Sequence, residues 1–312
     1  MRVFITGIEG FVGHHLARHL ISAGHEVSGS YFDEPAVGEL KDSCALFRID
    51  LRSGQGLRQA LATARPQCLY HLAAQSSPAV SFQKPVDTFE INVIGLVNLL
   101  EEMRRTVPEC KLVMVSSCEV YGLTDTSDPV QEDHPYNAAS PYAVSKISQE
   151  QLAIQYFHSY QMNTIVARAF PHTGPGQPEM FALPSFARQI AGIAKHGSDP
   201  VVLVGNLSAR RDISDVRDIV KAYVLLAEAG QPGEVYNVCS GKNITIQQAL
   251  EMLIKLSGKK IEVRTDPQRF RPLDLPILWG DNGKISRQTG WQPEYGIERT
   301  LRELYQYWLD RV

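Results

Sequence analysis

The stretch Thr6-Gly7-Ile8-Glu9-Gly10-Phe11-Val12-Gly13 follows the apolar run Val3-Phe4-Ile5 and opens a helical pattern. Its glycines have the spacing G-x-x-G-x-x-G. The first permits a tight strand-to-helix turn, the second lets the backbone approach a pyrophosphate, and the third lets the helix pack close to the sheet. The helix N-terminus then faces the phosphates. A helix start with accidental glycines is the alternative, but the order strand, turn, helix favours dinucleotide binding, with contacts at Gly7, Gly10, Phe11, Val12 and Gly13.

Outward from this turn, short apolar runs alternate with helical patterns. Strands are predicted at 3–5, from Val27, and at 69–72, 111–115, 164–168, 201–204 and 234–238, and helices at 11–23, 86–105 and 140–158. This alternation predicts an α/β fold with a Rossmann-type, doubly wound parallel sheet. We expect residues 1–170 to form a dinucleotide-binding domain, with later strands returning to the sheet around 201–240. Residues 171–312 are expected to form mainly a smaller C-terminal substrate-binding lobe.

The end of the second predicted strand bears on the choice of cofactor. Asp33 lies 20 residues beyond Gly13, close to where an acidic side chain bonds the adenosine ribose. A simple turn residue is an equally good interpretation of Asp33. Between Ala23 and Phe47 the sequence has no arginine to hold a 2′-phosphate. The sequence therefore leans slightly toward NAD over NADP.

Charge and cysteine usage exclude several classes of function. The 312 residues include 31 Lys and Arg against 34 Asp and Glu, and no basic block stands out, which disfavours nucleic acid and membrane surfaces as partners. The N-terminal apolar run is too short for a signal peptide or a membrane helix. The five cysteines are scattered without a C-x-x-C motif, so we expect no disulfide framework, no metal site and a cytoplasmic location.

A second motif contains candidate catalytic residues. Pro141-Tyr142-Ala143-Val144-Ser145-Lys146 puts Tyr142 and Lys146 four residues apart, on one face of a predicted helix. A nearby ammonium favours the phenolate, so the tyrosine can act as acid and base. Ser117 follows the strand before this helix and can hydrogen-bond a reacting oxygen. Such a Tyr-x-x-x-Lys pair also arises by chance on exposed helices, but here it accompanies a dinucleotide turn.

With both motifs, the chain resembles the extended short-chain dehydrogenases/reductases of the NAD-dependent epimerase/dehydratase family, which act on nucleotide-activated sugars. The resemblance covers essentially the whole chain. It implies a nicotinamide cofactor, a catalytic set of Ser117, Tyr142 and Lys146, and a homodimer formed by the helices at 86–105 and 140–158, although their apolar faces could equally belong to the core. In the family, Lys146 also holds the nicotinamide ribose. The remaining implied cofactor contacts are Asp50, Leu51, Leu72, Ala73, Ala74 and Asn92.

Segments 204–212 and 214–218 resemble the branch that modifies GDP-mannose, and the glycine turn is more similar to its 4-keto-6-deoxy-mannose reductases than to its 4,6-dehydratases. The resemblance implies that the substrate diphosphate is bound by Asn206, Arg211 and Arg271, with Arg188 as a weaker candidate that could instead form a surface ion pair. Pro171 stands where the family has an asparagine that contacts substrate, which puts the usual sugar pose in doubt.

The expected reaction is reduction of a nucleotide-linked sugar at C4. Tyr142 would give a proton to the carbonyl oxygen, Ser117 would hydrogen-bond that oxygen, and Lys146 would lower the tyrosine pKa. The alternative is a 4,6-dehydratase or epimerase with tightly bound cofactor, in which Glu119 would remove a proton beside a transient ketone. A non-catalytic nucleotide-binding sensor is a third possibility, disfavoured because both Tyr142 and Lys146 are present.

Overall fold

The computed structural model describes residues 1–32, 38, 40–124, 127–197, 199–270 and 273–312. Its strands are β1 (Arg2–Thr6), β2 (Glu26–Tyr31), β3 (Ala45–Arg48), β4 (Cys68–His71), β5 (Lys111–Ser117), β6 (Thr164–Ala169), β7 (His172–Thr173), β8 (Val201–Val204), β9 (Arg210–Arg211), β10 (Ser214–Asp215), β11 (Val235–Val238), β12 (Ile244–Thr245), β13 (Glu262–Thr265) and β14 (Ile277–Leu278). Its helices are α1 (Phe11–Ser22), α2 (Leu57–Ala64), α3 (Pro78–Gln83), α4 (Pro85–Phe89), α5 (Gly95–Thr106), α6 (Pro141–Tyr160), α7 (Ala182–His196), α8 (Val216–Ala229), α9 (Ile246–Ser257), α10 (Gly283–Thr289) and α11 (Ile297–Leu309).

Seven strands form one parallel sheet in the order β11-β6-β5-β4-β1-β2-β3. The strand order reverses between β1 and β4, because the chain builds the sheet outward in one direction through β2 and β3 and then in the other. In such sheets ligands bind in the crevice at the carboxyl ends of the strands, at this switch point. The predicted α/β, doubly wound fold is confirmed.

Both faces of the sheet are covered, as the apolar runs of the strands require. Along β1, Val3 and Ile5 face one side and join a core with α1, α8 and α10, whereas Phe4 faces the other side and packs with α2, α5 and α6. All three side chains are almost completely buried. The alternation follows from the two-residue period of a strand, and it places α1 and α6 on opposite faces, both beginning near the carboxyl edge of the sheet.

The C-terminal part of the chain builds a second core. Helices α7, α9 and α11 pack around Val202 and Val204 of β8. The prediction that later strands return to the main sheet is right for β11, which pairs with β6, and wrong for 201–204. Strand β8 pairs with β13 in a separate two-stranded sheet, because its buried valines serve the second core.

The predicted helix over 86–105 is interrupted. A π-helical turn, Glu90–Ile94, separates α4 from α5. Such turns widen a helix locally and often occur at functional sites. Here the turn carries Asn92, whose side chain is fully buried and points toward α6.

Helix α6 begins at residues that favour a helix N-terminus. The Ser140 hydroxyl caps it by accepting a hydrogen bond from the Ala143 N–H at 3.1 Å, and Pro141 occupies the first helical position, where no N–H is needed. The helix ends at Gln161, which has a left-handed backbone with φ of 55°. Among the helices of the described residues, none is long and apolar enough to cross a membrane.

Candidate active site

The glycine turn leaves room only for backbone at its centre. Gly7 has φ of +69°, and a Cβ there would lie 2.9 Å from the backbone of Ala73; a Cβ on Gly13 would lie 2.4 Å from the Gly7 carbonyl oxygen. Gly10, at the N-cap of α1, has no side chain to cap the helix. The first-turn N–H groups of α1 therefore face the crevice without a side-chain cap, which suits a pyrophosphate. The cradle fits a dinucleotide.

The carboxyl end of β4 lies against this turn. The Leu72 N–H donates to the Thr6 carbonyl oxygen at 3.2 Å, and the Ala73 N–H donates to Thr6 Oγ1 at 3.3 Å. Leu72, Ala73 and Ala74 are all partly buried. The structure thus brings the predicted contacts on the two sides of the switch point together.

Asn92 belongs to a buried polar network that the sequence analysis missed. Its Oδ1 accepts from the Gln75 N–H at 2.8 Å, and its Nδ2 donates to Ser145 Oγ at 2.9 Å. Gln149 donates to the Asn92 carbonyl oxygen at 2.7 Å and lies 3.4 Å from His71 Nε2. With these bonds, Asn92 fixes the loop after β4 to α6. Its predicted support of the cofactor side is consistent with this positioning role.

His71 connects that network to the glycine turn. Its Nδ1 hydrogen-bonds Thr6 Oγ1 at 2.8 Å. Complete burial, together with the nearby Lys146, lowers the pKa of His71 to about 3. The imidazole is therefore neutral at physiological pH and acts as a fixed hydrogen-bonding group. A histidine ending an apolar strand was the only sequence signal for it.

The adenine side of the crevice is less enclosed. Asp50 binds Arg52 through both carboxylate oxygens, with a shortest distance of 2.6 Å, and this hydrogen bonding lowers the pKa of Asp50. Leu51 is buried, and Asn98 donates to its carbonyl oxygen at 2.8 Å. Asp33 lies outside the described residues.

The structure brings Ser117, Tyr142 and Lys146 together at the carboxyl end of β5. Lys146 Nζ donates to the Val115 carbonyl oxygen at 2.9 Å and lies 5.8 Å from the centre of the Tyr142 ring. Burial lowers the pKa of Lys146 to about 8, although Glu150 opposes this shift. At neutral pH the amine is therefore mostly protonated.

The expectation that Lys146 lowers the tyrosine pKa stays a prediction. Burial raises the pKa of Tyr142 above its usual value, Ser117 opposes the rise, and the negative charge of Glu119 adds to it. Desolvation of the phenol is the largest cause of this shift, because burial disfavours the charged phenolate. Tyr142 is therefore protonated at neutral pH.

A buried ion pair holds α6 in place. The Arg168 guanidinium donates to both carboxylate oxygens of Glu150 at 2.8–3.1 Å, and both side chains are almost completely buried. Ser116 also donates to the Glu150 carboxylate. The other guanidinium bonds go to the hydroxyls of Tyr121 and Tyr136, at 2.8 and 3.0 Å, and to the carbonyl oxygen of Glu132. Both charges are compensated, as burial requires.

Two of the residues that were predicted to bind the substrate diphosphate share one carboxylate partner. Asn206 Nδ2 and Arg211 Nη2 each donate to Asp274 at 2.8 Å. Arg211 is mostly buried, and its charge influences Cys118, the neighbour of Ser117. Arg188 instead forms an ion pair with Glu179, and both side chains are about half exposed. Arg271 lies outside the described residues.

The segment after β6 packs onto the glycine turn. The His172 ring stacks on Phe11 with centroids 6.2 Å apart, and His15 Nε2 hydrogen-bonds the Pro175 carbonyl oxygen at 2.8 Å. Pro171 offers the crevice no side-chain hydrogen bond, but its carbonyl oxygen accepts from the Ser214 N–H at 2.9 Å. The Phe11 ring therefore connects the glycine turn with the segment after β6, a contact that the glycine spacing could not reveal.

A parallel sheet with a glycine turn after β1 and a Tyr-x-x-x-Lys helix after β5 defines the class of extended short-chain dehydrogenases/reductases. The model of the family described as GDP-mannose 4,6 dehydratase matches residues 4–304. The chain belongs to this family.

Similar proteins include a GDP-6-deoxy-D-mannose reductase from Pseudomonas aeruginosa, which is 34% identical over 100% of this chain and 98% of its own length. Two solved structures are also similar. That of RMD from Pseudomonas aeruginosa complexed with NADPH has a TM-score of 0.86 and 32% identity, covering 100% of this chain and 99% of the other. That of the UDP-glucose 4-epimerase from Thermus thermophilus in complex with NAD has a TM-score of 0.88 and 28% identity, covering both chains fully.

The ion pair under α6 gives a stability prediction. Glu150→Gln leaves the Arg168 charge buried without its counterion, so we expect the free energy of unfolding to fall by about 3–5 kcal/mol. Urea unfolding of both proteins measures this difference. The matched control is Glu294→Gln, which removes a carboxylate from the surface pair with Lys221 and should cost less than about 1 kcal/mol. Equal losses in the two variants would show that the buried pair does not hold α6.

Proposed function

We propose that this protein reduces the C4 ketone of a GDP-linked 4-keto-6-deoxyhexose with a nicotinamide cofactor. The observation that carries the proposal is that Ser117, Tyr142 and Lys146 come together at the carboxyl end of β5, in the same sheet whose β1 is followed by the glycine turn. The similarity to a GDP-6-deoxy-D-mannose reductase over the full chain supports the choice of substrate class.

In this proposal the turn residues Gly7, Gly10 and Gly13 hold the pyrophosphate, and the β4 edge from Leu72 to Ala74 lines the cofactor. Lys146 binds the nicotinamide ribose through its ammonium. When bound, the nicotinamide supplies the hydride for the reduction. We propose NAD(H) rather than NADP(H) as the cofactor.

Tyr142 would supply the proton. Because its pKa is raised by burial, the phenol is protonated at neutral pH and can donate to the carbonyl oxygen at C4. Ser117, which interacts with the same phenol, would hydrogen-bond that oxygen and stabilise the negative charge that develops there. The mostly protonated Lys146 has its Nζ 5.8 Å from the centre of the Tyr142 ring, and it would offset the charge left on the tyrosine.

The diphosphate would bind at Asn206 and Arg211. Their shared partner Asp274 orients both side chains, and a guanidinium fork matches phosphate oxygens. Arg271 and Arg188 are proposed as additional contacts. For Arg188 this requires exchange of its Glu179 partner for phosphate.

A second candidate function is a 4,6-dehydratase or epimerase that keeps its cofactor bound. The observation that favours it is that the Glu119 N–H donates to Ser117 Oγ at 3.2 Å, and that Ser117 in turn interacts with the Tyr142 phenol. A carboxylate in that position could remove a proton beside a transient ketone. A dehydratase would consume no external nicotinamide, whereas a reductase consumes one equivalent for each product.

We also propose a homodimer and a cytoplasmic location. Apolar side chains stand exposed on the helices that we expect to pair, namely Val86, Phe89, Ile94, Val144 and Tyr160. A contact between two copies would cover them. The five cysteines are free thiols, which fits a reducing compartment.

The test of the proposed function is incubation of the purified protein with GDP-, dTDP-, UDP- and CDP-linked hexoses and their 4-keto-6-deoxy derivatives, with NADH or NADPH. We expect absorbance at 340 nm to fall only with the GDP-linked ketone, and the product mass to rise by two hydrogens. Loss of water from GDP-mannose without net change in cofactor would instead establish the dehydratase.

Tyr142→Phe removes the proposed proton donor and keeps the ring. We expect kcat to fall by about 10²–10⁴-fold because proton transfer is lost, with little change in cofactor affinity. Steady-state kinetics and a fluorescence titration with reduced cofactor measure the two quantities. Tyr160→Phe, which removes a hydroxyl from the exposed end of the same helix, is the control. Turnover of Tyr142→Phe at the wild-type rate would contradict the mechanism.

A further inference from the structure

Glu9 lies within the glycine turn, but its side chain reaches the end of β2. Its Oε1 accepts a hydrogen bond from the Phe32 N–H at 2.8 Å. The turn and the strand are also joined by backbone, since the N–H groups of Gly7 and Ile8 both donate to the Ser30 carbonyl oxygen, at 3.0 and 3.2 Å. The carboxylate is therefore held at the carboxyl end of β2.

The second carboxylate oxygen of Glu9 differs from the first in its hydrogen bonding. Glu9 Oε2 is buried, and within the part of the chain that the structure describes it has no hydrogen-bond partner. Leaving a buried carboxylate oxygen unpaired is costly, so such an atom calls for an explanation. A ligand that donates a hydrogen bond at this point would satisfy it.

The position of Glu9 Oε2 indicates which group of a ligand would donate this hydrogen bond. In a doubly wound sheet with a glycine turn after β1, the adenosine ribose lies at the end of β2, where an acidic side chain accepts from its hydroxyls. Sequence spacing assigns that role to Asp33, beyond β2. Glu9 reaches the same strand end from the glycine turn, and one of its oxygens is already anchored by Phe32.

We propose that Glu9 determines the cofactor specificity of this protein, by accepting a hydrogen bond from the adenosine 2′-hydroxyl of NAD(H) and by repelling the 2′-phosphate of NADP(H). This inference rests on the proposed function only in requiring that the crevice bind a nicotinamide dinucleotide. It goes beyond that function in naming a residue that discriminates between the two cofactors.

Arg52, a cation near the carboxyl end of β2, is already bound by a carboxylate. The Arg52 guanidinium lies 5.8 Å from the centre of the Phe32 ring, but both oxygens of Asp50 bind it, at 2.9 and 2.6 Å. A 2′-phosphate would have to compete with Asp50 for Arg52 while lying close to the Glu9 carboxylate. Both interactions disfavour a dianionic group there.

Glu9→Gln is the informative substitution, because the amide oxygen can still accept from Phe32 while the charge is removed. Dissociation constants for NADH and NADPH, from fluorescence titration of wild type and variant, report binding without catalysis. We expect the wild type to prefer NADH, and the variant to reduce that preference about tenfold. Glu26→Gln, which removes a carboxylate from the exposed opposite end of β2, should leave the preference unchanged.

A second measurement changes the cofactor as well as the side chain. A reduced dinucleotide that lacks the adenosine 2′-hydroxyl should bind about tenfold more weakly than NADH, and Glu9→Gln should abolish most of that difference, which closes a double-mutant cycle between side chain and hydroxyl. Wild-type preference for NADPH, indifference of the wild type to the 2′-hydroxyl, or an unchanged preference in Glu9→Gln would each overturn the assignment. Binding of neither dinucleotide would contradict the proposed function as well, and is thereby distinguished from those outcomes.

Discussion

The buried guanidinium of Arg168 is the constraint on which the arrangement of the site depends. It projects from β6 into a pocket where only a complete set of acceptors can compensate its charge, and Glu150 of α6 supplies the main one. Lys146 lies one turn before Glu150 on the same helix, and Tyr142 one turn before that. The pairing of Arg168 with Glu150 therefore fixes the positions of Tyr142 and Lys146 along β5. Hydrogen bonds to Tyr121 and Tyr136 extend the same constraint to the segments after β5.

A second buried carboxylate joins the two parts of the crevice. Asp212 follows β9 and accepts from the N–H groups of Ser240 and Gly241, at 2.8 and 2.9 Å, just beyond β11. Burial raises the pKa of Asp212 to about 6, although these hydrogen bonds oppose the shift. Because Arg211 is its neighbour, the proposed diphosphate residue is held against a strand of the main sheet. The substrate side is thus positioned by the dinucleotide-binding sheet itself.

The sequence predicted local geometry well where that geometry depends on a few neighbouring residues. The glycine spacing and the pair Tyr142 and Lys146 are local patterns. The structure shows the close backbone packing at Gly7 and Gly13, and it puts Lys146 Nζ 5.8 Å from the centre of the Tyr142 ring. Sequence reasoning failed where partners come from distant segments. Nothing near Lys146 in sequence indicates that its ammonium donates to Val115, nor that Gln149 reaches the π-helical turn at Asn92. The same holds for β8, whose apolar pattern cannot tell a strand of the main sheet from one in a second core.

We propose that the protein transfers hydrogen to C4 of a GDP-linked sugar while Tyr142 supplies the proton. The most direct measurement uses NADH deuterated at the transferable position of the nicotinamide ring, with the 4-keto-6-deoxy sugar as substrate and mass and NMR analysis of the released sugar nucleotide. We expect one deuterium at C4 of each product molecule, and one equivalent of cofactor oxidised for each. A product without deuterium, formed while the cofactor pool stays reduced, would contradict it.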